Sequence, residues 1–480
     1  MKVFYKVKNI KLVPLLTSLT GIKLCNDQLE TNIHIRQKDV PGCPSDKNHE
    51  NLYNLLRVTT KNVKQYLVYK KEEYSIKGFS FAVCIGDGSP GVINFGTMDV
   101  NTNKEVHSLT KFNLGDLSML HTASMFLYED IVKRNQVNEV KDPLMLKDIR
   151  TTLIPTFEDG KRPWIDEIFA YGKITYWDLL THDGAFVPVL QKDKDFVGTR
   201  YSSTVPVSAS PYTHCKDYLK YLSVTHVRNQ FRIHKVLHDK GEAGFPQLNS
   251  KYDEIKEKIN DMEDQYLFSK HNYNVLFYLL ALECGQSCNP DSMFMSYFDQ
   301  MEMYDSDVAG LNKIRPHRSK HYELSERSND MEKHVLQPAR YHDPAILLGA
   351  HGLLATARDM ACFGSKLINY LYGENSNLKL FSILLFTFCY IFLPFKCSNS
   401  KCEEGSRQLN DIKENGICLT SNTLGASNIF YVRPANDKIN QLSFSFLSNS
   451  GSITHEHLKE IADEIVNKYE SAMRHYLSDL

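Results

Sequence analysis

Along residues 50–75, apolar side chains recur at helical spacing, with Leu52, Leu55, Leu56, Val63, Tyr66 and Leu67 on a polar background. Two short apolar runs follow, 79–85 and 92–96. Between them lies Gly86-Asp87-Gly88-Ser89-Pro90-Gly91, a dense turn signal, so the pair is predicted to form a β-hairpin. Helical spacing returns after Asp116, where Leu117, Leu120, Ser124, Leu127 and Ile131 share a face. Asp116 is the predicted N-cap, its carboxylate accepting the first-turn N–H groups. Residues 352–369 read as a helix opened by Ala355-Thr356-Ala357-Arg358-Asp359, with Met360, Phe363, Leu367 and Ile368 on one side. Residues 430–432 and 442–447 are predicted strands, the second alternating apolar residues with Ser. A last helix is predicted from about Thr454, with Leu458, Ile461, Ile465, Tyr469 and Met473 as its apolar face. Strands therefore come from both ends of the chain and helices from the middle. This predicts an α/β domain: an antiparallel sheet with the terminal helices packed on it and a mostly helical subdomain.

Three segments stand outside that pattern. Residues 1–40 are predicted to be a leader: Lys2, Lys6, Lys8, Lys11 and Lys23 precede the first acid, Asp27, and flank a modest apolar stretch. The pattern suits mitochondrial or secretory targeting, with a plain basic arm as the alternative; the lack of arginine before Arg36 counts against the mitochondrial route. Residues 187–262, rich in charge and Ser/Thr, read as an insertion into a domain covering 41–480, and their charged run 251–263 as a solvated helix face. Residues 380–395, from Leu380 to Phe395, carry no charge between Lys379 and Lys396. That is shorter than the ~20 apolar residues a spanning helix needs. A membrane-inserted segment, a buried core helix and sequence from an altered transcript are all compatible with it.

Charge is balanced, 56 Lys+Arg against 57 Asp+Glu, which removes the electrostatic case for nucleic acid as a partner. The 11 cysteines are scattered. Neither Cys284 with Cys288 nor Cys397 with Cys402 has the further ligands of a zinc site, so no metal or cofactor is expected and reduced thiols are.

Several stretches, in order, resemble the serine β-lactamase and penicillin-binding-protein superfamily, and within it the mitochondrial serine β-lactamase-like group. Residues 78–99 (GFSFAVCIGDGSPGVINFGTMD) resemble its opening hairpin, and 112–122 the segment that holds the nucleophile. Residues 174–182 (ITYWDLLTH) resemble its ITxxxLLTHTSG run, and 265–282 the unit carrying its tyrosine motif. Residues 352–364 (GLLATARDMACFG) resemble GGLxSTAxDLxxFG, the most specific match. Residues 425–434 resemble the strand entered after the third motif. The resemblance covers about 78–186 and 263–450, and it implies the β-lactamase/transpeptidase-like fold.

It also implies what chemistry to look for. The superfamily performs acyl transfer: a serine attacks a carbonyl carbon, a lysine one helical turn later assists deprotonation, a tyrosine shuttles the proton, and a His/Lys-Thr-Gly strand motif lines the oxyanion site. Here the serine position falls on Asp116 and the lysine position on Met119. The tyrosine position falls on Phe268, within Phe268-Ser269-Lys270, and the third motif on Leu419-Thr420-Ser421. An aspartate cannot form the usual acyl-enzyme, a methionine is no base, and a phenylalanine has no phenol oxygen. Substitutes are poor. Ser118 with His121 gives a Ser-x-x-His spacing, Tyr201-Ser202-Ser203 imitates a tyrosine motif inside the insertion, and Lys270 offers an amine. His182 matches a family position with a structural role. Groups that act as a unit lose their catalysis together. The resemblance thus implies a non-catalytic member in a mitochondrial setting, linked to lipid metabolism or peptide hydrolysis, working through protein partners or self-association. The alternatives are an active serine hydrolase or peptidase with a non-standard nucleophile such as Ser118 or Ser269, and a membrane-anchored binding protein.

Overall fold

The structure is a computed structural model. It describes residues 46–86, 89–133, 144–149, 175–182, 270–284, 290–309, 315–324, 336–339, 348–391, 416–423, 425–435 and 441–478. The predicted leader, the 187–262 insertion, Tyr201–Ser203, Phe268 and Ser269 lie outside these residues.

Helix α1 (Asp46–Glu73) enters the hairpin of β1 (Gly78–Ile85) and β2 (Gly91–Asp99), followed by the short β3 (Lys104–Glu105) and β4 (Phe112–Asn113). The middle is helical: α2 (Leu117–Leu127), α3 (Tyr176–Leu180), α4 (Lys270–Glu283) and α5 (Pro290–Gln300). Then come β5 (Asp307–Val308), β6 (Tyr322–Leu324), β7 (Leu336–Pro338), α6 (Leu348–His351), β8 (Leu353–Ala355), α7 (Ala357–Tyr372) and α8 (Ser376–Ile391). The chain ends with β9 (Ile417–Thr423), β10 (Ala426–Arg433), β11 (Leu442–Ser448) and α9 (His455–Ser478).

The main sheet has six strands in the order β3-β2-β1-β11-β10-β9, every neighbour antiparallel. The first and last strands of the domain therefore pair at its centre, Phe81 opposite Phe446. One face buries Phe79, Phe81, Phe444 and Phe446 under α1 and α9, which contribute Leu56, Val63, Ile461 and Ile465. A hydroxyl contact of 3.0 Å between Thr60 and Tyr469 ties the two helices together. The opposite face buries Ala82 and Cys84 beneath α7, in one core with the helical subdomain.

Strand β11 shows how the sequence alternation is used. Alternating polar residues in an antiparallel sheet usually face water, but every position of β11 is buried. Phe444 and Phe446 face the terminal helices, while Ser443 and Ser445 face α7. Their hydroxyls donate to the Ala361 carbonyl at 3.0 Å and the Ala357 carbonyl at 2.7 Å, one helical turn apart. Gly364 completes this seat. A Cβ there would stand 2.1 Å from Ser443 Oγ and 2.6 Å from Val432 Cγ1, so only a glycine lets the helix lie this close to the sheet.

Two expectations need correction. Residues 353–355 are not the start of a helix but strand β8, which pairs with both β4 and β5. Helix α7 starts later, with Thr356 Oγ1 as cap accepting the Asp359 N–H at 3.1 Å. Asp116 sits before α2 but makes no side-chain cap, because its carboxylate is held elsewhere. Helix α2, predicted from the shared face of Leu117, Leu120, Ser124 and Leu127, is buried on every side: all eleven of its residues are buried, the mark of a central helix.

The apolar run 380–395 resolves, over its described part, as α8. Phe381, Leu385, Phe386 and Cys389 are buried in the core shared with α2 and α7, and Phe381 packs edge-on against Tyr128 with ring centroids 5.8 Å apart. Over these residues the segment is a helix with one side packed in the core. Among the described residues no helix is long and apolar enough to cross a membrane.

Candidate functional site

The start of α2 is wedged between β8 and the edge strand β9. Asn113 Oδ1 accepts the Gly115 N–H at 2.7 Å, and Gly115 takes a positive φ of 55° to turn the chain into the helix. The Leu114 N–H donates to the Leu353 carbonyl at 3.0 Å. From the sheet, Asn428 Nδ2 donates to the carbonyls of Asn113 (2.9 Å) and Leu114 (3.3 Å). The Asp116 N–H donates to Ser421 Oγ at 3.0 Å. The fold thus brings together two positions 305 residues apart, Asp116 and Ser421, that the resemblance had placed in separate motifs.

The side chains at these positions have structural partners. Asp116 Oδ1 lies 2.6 Å from His351 Nε2, with side-chain exposures of only 13% and 9%. Met119 is buried in the core cluster of α2, and so is Leu419 on the facing strand. Thr420, between Leu419 and Ser421, faces the other way, and its hydroxyl meets His455 Nδ1 at 3.0 Å at the start of α9. Lys270 begins α4 in the backbone.

The substitute dyad does not assemble. Ser118 is fully buried, and its Oγ accepts the Leu353 N–H at 3.3 Å. Both ring nitrogens of His121 are engaged elsewhere, Nδ1 with the Tyr297 hydroxyl at 3.2 Å and Nε2 with Met360 Sδ at 3.1 Å. Burial pushes the His121 pKa down to about 3, which makes it a weak base at neutral pH. Among the described residues no group of His, Cys, Asp and Glu side chains could hold a metal ion.

His182 takes a positive φ of 62° and packs against Tyr273 with ring centroids 5.1 Å apart, while Tyr273 donates to the Leu180 carbonyl at 3.0 Å. Asp359, from the most specific stretch of the resemblance, accepts the Asp305 N–H at 2.9 Å and the Ser306 hydroxyl at 2.8 Å. Burial raises its pKa to about 6.

Sequence reasoning missed His351. It immediately precedes the GLLATARDMACFG stretch, and nothing local singles it out: its partner Asp116 lies 235 residues earlier, brought close by the packing of α6 against α2.

An arrangement of this kind contains a carboxylate and an imidazole in contact, but no hydroxyl free to attack a carbonyl on the first turn of α2 and no ammonium one turn later. It can orient an imidazole or bind a polar group.

No protein-family model matches the chain, and no curated protein matches it in sequence. Solved structures do match. The D-amino acid amidase of Ochrobactrum anthropi, complexed with D-phenylalanine, is 14% identical with a TM-score of 0.51, over 86% of this chain and 99% of the amidase. The octameric penicillin-binding protein homologue of Pyrococcus abyssi is also 14% identical with a TM-score of 0.51, over 85% of this chain and 77% of that one. Identity at this level speaks for architecture alone. The antiparallel sheet flanked by helices, with its helical subdomain, therefore has the β-lactamase/transpeptidase-like fold.

Proposed function

We propose that this protein is a non-catalytic bearer of the β-lactamase-like fold, acting through protein partners or self-association, in mitochondria and in connection with lipid metabolism. The observation that carries the first part is the state of the α2 N-terminus. Where acyl transfer needs a nucleophile, Asp116 is paired with His351, and where it needs an ammonium, Met119 is packed into the core. An aspartyl acyl anhydride there would be labile, and the position one helical turn on, Met119, offers no ammonium to stabilise its formation. Fold and chemistry separate readily in evolution, since packing and catalysis depend on different side chains. The mitochondrial setting and the lipid link rest on the sequence resemblance alone.

The test is intact-mass analysis of folded protein after exposure to a fluorophosphonate. No adduct is expected. One stoichiometric adduct mapped to a single serine overturns the reading and names the nucleophile. If that serine is Ser118, Ser118→Ala abolishes the adduct; if it is Ser269, the tyrosine-motif segment carries the chemistry instead.

A further inference from the structure

The contact between α7 and the sheet contains a pair of thiols that the proposed function does not use. Cys84 lies on β1, buried, on the face covered by α7. Its cross-strand partner is Ser443, whose hydroxyl donates to the carbonyl of Ala361, the residue before Cys362. Two residues beyond Cys84, the Gly86 carbonyl accepts the Ser365 hydroxyl at 3.2 Å, three residues beyond Cys362. The helix is thus pinned to the sheet on both sides of the two sulfurs, and Gly364 lets it approach closely. Within this frame Cys84 and Cys362 adjoin across the helix–sheet contact, Cys84 in the core and Cys362 packed against it. Both are free thiols, Cys84 buried and Cys362 partly exposed.

We propose that Cys84 and Cys362 form a peroxide-responsive redox site, closing to a reversible disulfide that staples α7 to β1. The two thiols have divided roles. The neighbouring Cys84 thiol and the positive charge of Arg358, one turn earlier on α7, favour the thiolate of Cys362 and hold its pKa below the usual thiol value. The proximity of Cys362, together with burial, holds the Cys84 proton on its sulfur. Cys362, the more exposed, attacks first. Its thiolate attacks one oxygen of a hydroperoxide, an S–O bond forms and the O–O bond breaks. With hydrogen peroxide the leaving hydroxide takes up a proton to become water, leaving Cys362 as sulfenic acid. The Cys84 sulfur then attacks the Cys362 sulfur, the S–S bond forms, and the S–O bond breaks. The departing hydroxide leaves as water with the Cys84 proton. In balance, two thiols and one peroxide give one disulfide and two waters. A dithiol reductant reverses it.

The consequence is mechanical. Helix α7 touches both the sheet and α8, so a covalent tie at Cys362 fixes the boundary between sheet and helical subdomain. The closed form is expected to resist unfolding more than the reduced form, because the bond closes a loop spanning residues 84 to 362 in the unfolded chain.

The test treats fully reduced, folded protein with a slight excess of hydrogen peroxide, blocks remaining thiols under denaturing conditions, and maps disulfide peptides by mass spectrometry. A Cys84–Cys362 linked peptide that disappears with dithiothreitol is expected, together with a higher urea midpoint for the oxidised protein. Cys84→Ser removes the resolving sulfur, so Cys362 should then be trapped as sulfenic acid by a dimedone probe. Peroxide that leaves both cysteines alkylatable, that drives Cys362 to sulfinic acid with Cys84 still present, or that links either cysteine mainly to another overturns the proposal. The wild-type peptide map decides this even if the serine variant does not fold.

Discussion

Removing the carboxylate at Asp116 separates a structural from a catalytic reading of the site. A catalytic group is typically held at some cost to stability, so its removal often leaves the fold unharmed or stabilised. A carboxylate that serves only the fold behaves in the opposite way. Asp116 Oδ1 stands 2.6 Å from His351 Nε2, and the two side chains are 13% and 9% exposed. Leaving one side of a buried polar contact without its partner costs roughly 1–3 kcal/mol. The residual exposure of both groups lets water compensate in part, so Asp116→Ala is expected to cost about 2 kcal/mol. His351→Ala is expected to cost about 2–3 kcal/mol, and the double variant far less than the sum, with a coupling of about 2 kcal/mol. Urea unfolding followed by circular dichroism measures all four corners of the cycle, and unchanged m-values show that two-state comparison is valid. A neutral or stabilising Asp116→Ala, or a coupling below about 0.5 kcal/mol, would refute the argument that this pair has replaced catalysis with structure.

Other expectations follow from the same structure. Gly364→Ala gains about 1 kcal/mol of helix propensity but drives a methyl to 2.1 Å from Ser443 Oγ and 2.6 Å from Val432 Cγ1; a net loss of about 2 kcal/mol is expected, partly rescued by Ser443→Ala in urea unfolding. Phe381→Ala is expected to lower stability by about 3–4 kcal/mol, since Phe381 is buried between Tyr128 and Tyr370; a variant as stable as wild type would show that α8 is not part of the core. His121 is buried and the Nε2 of the half-buried His321 is shielded from water, and both pKa values are pushed down from 6.5 to about 3, mainly by loss of hydration. A depressed histidine pKa contributes stability that is complete above about pH 6.5 and is lost as the pH falls toward 3. At pH 5 each should have cost about 2 kcal/mol. Chemical denaturation between pH 7.5 and 4.5 measures the slope, His121→Gln should flatten it, and a stability independent of pH across that range would contradict the desolvation of both rings.

How much of this was legible beforehand differs by element. The hairpin was, because the glycine-rich turn between two β-rich runs admits little else, and β1 and β2 pair as expected. The α9 face was too, with Leu458, Ile461, Ile465, Tyr469 and Met473 all buried. The stretch 352–364, read as the strongest family signal, turns out to be rich in packing residues: Thr356 caps a helix, Asp359 ties down residues 305 and 306, and Gly364 seats the helix on the sheet. Fold-level similarity survives in such positions because each answers to sterics or to an unsatisfied backbone group, whatever the site does. The strand at 353–355 was not legible, since three residues carry no periodicity and its partners β4 and β5 are remote in sequence.

By itself, the sequence determined the periodicities, the turn positions and the residue types along the stretches that carry the resemblance, which sets an aspartate, a methionine and a phenylalanine opposite the family's serine, lysine and tyrosine. Those are local properties, fixed by side-chain chemistry and spacing. Tertiary structure alone decided where the polar groups went. It turned Asp116 from helix cap to partner of His351, gave the β11 serines helix carbonyls instead of water, and set Cys84 beside Cys362. Each of these outcomes depends on desolvation by residues distant in sequence. A buried polar group must find whatever partner the packing brings within reach, and no local pattern names that partner in advance.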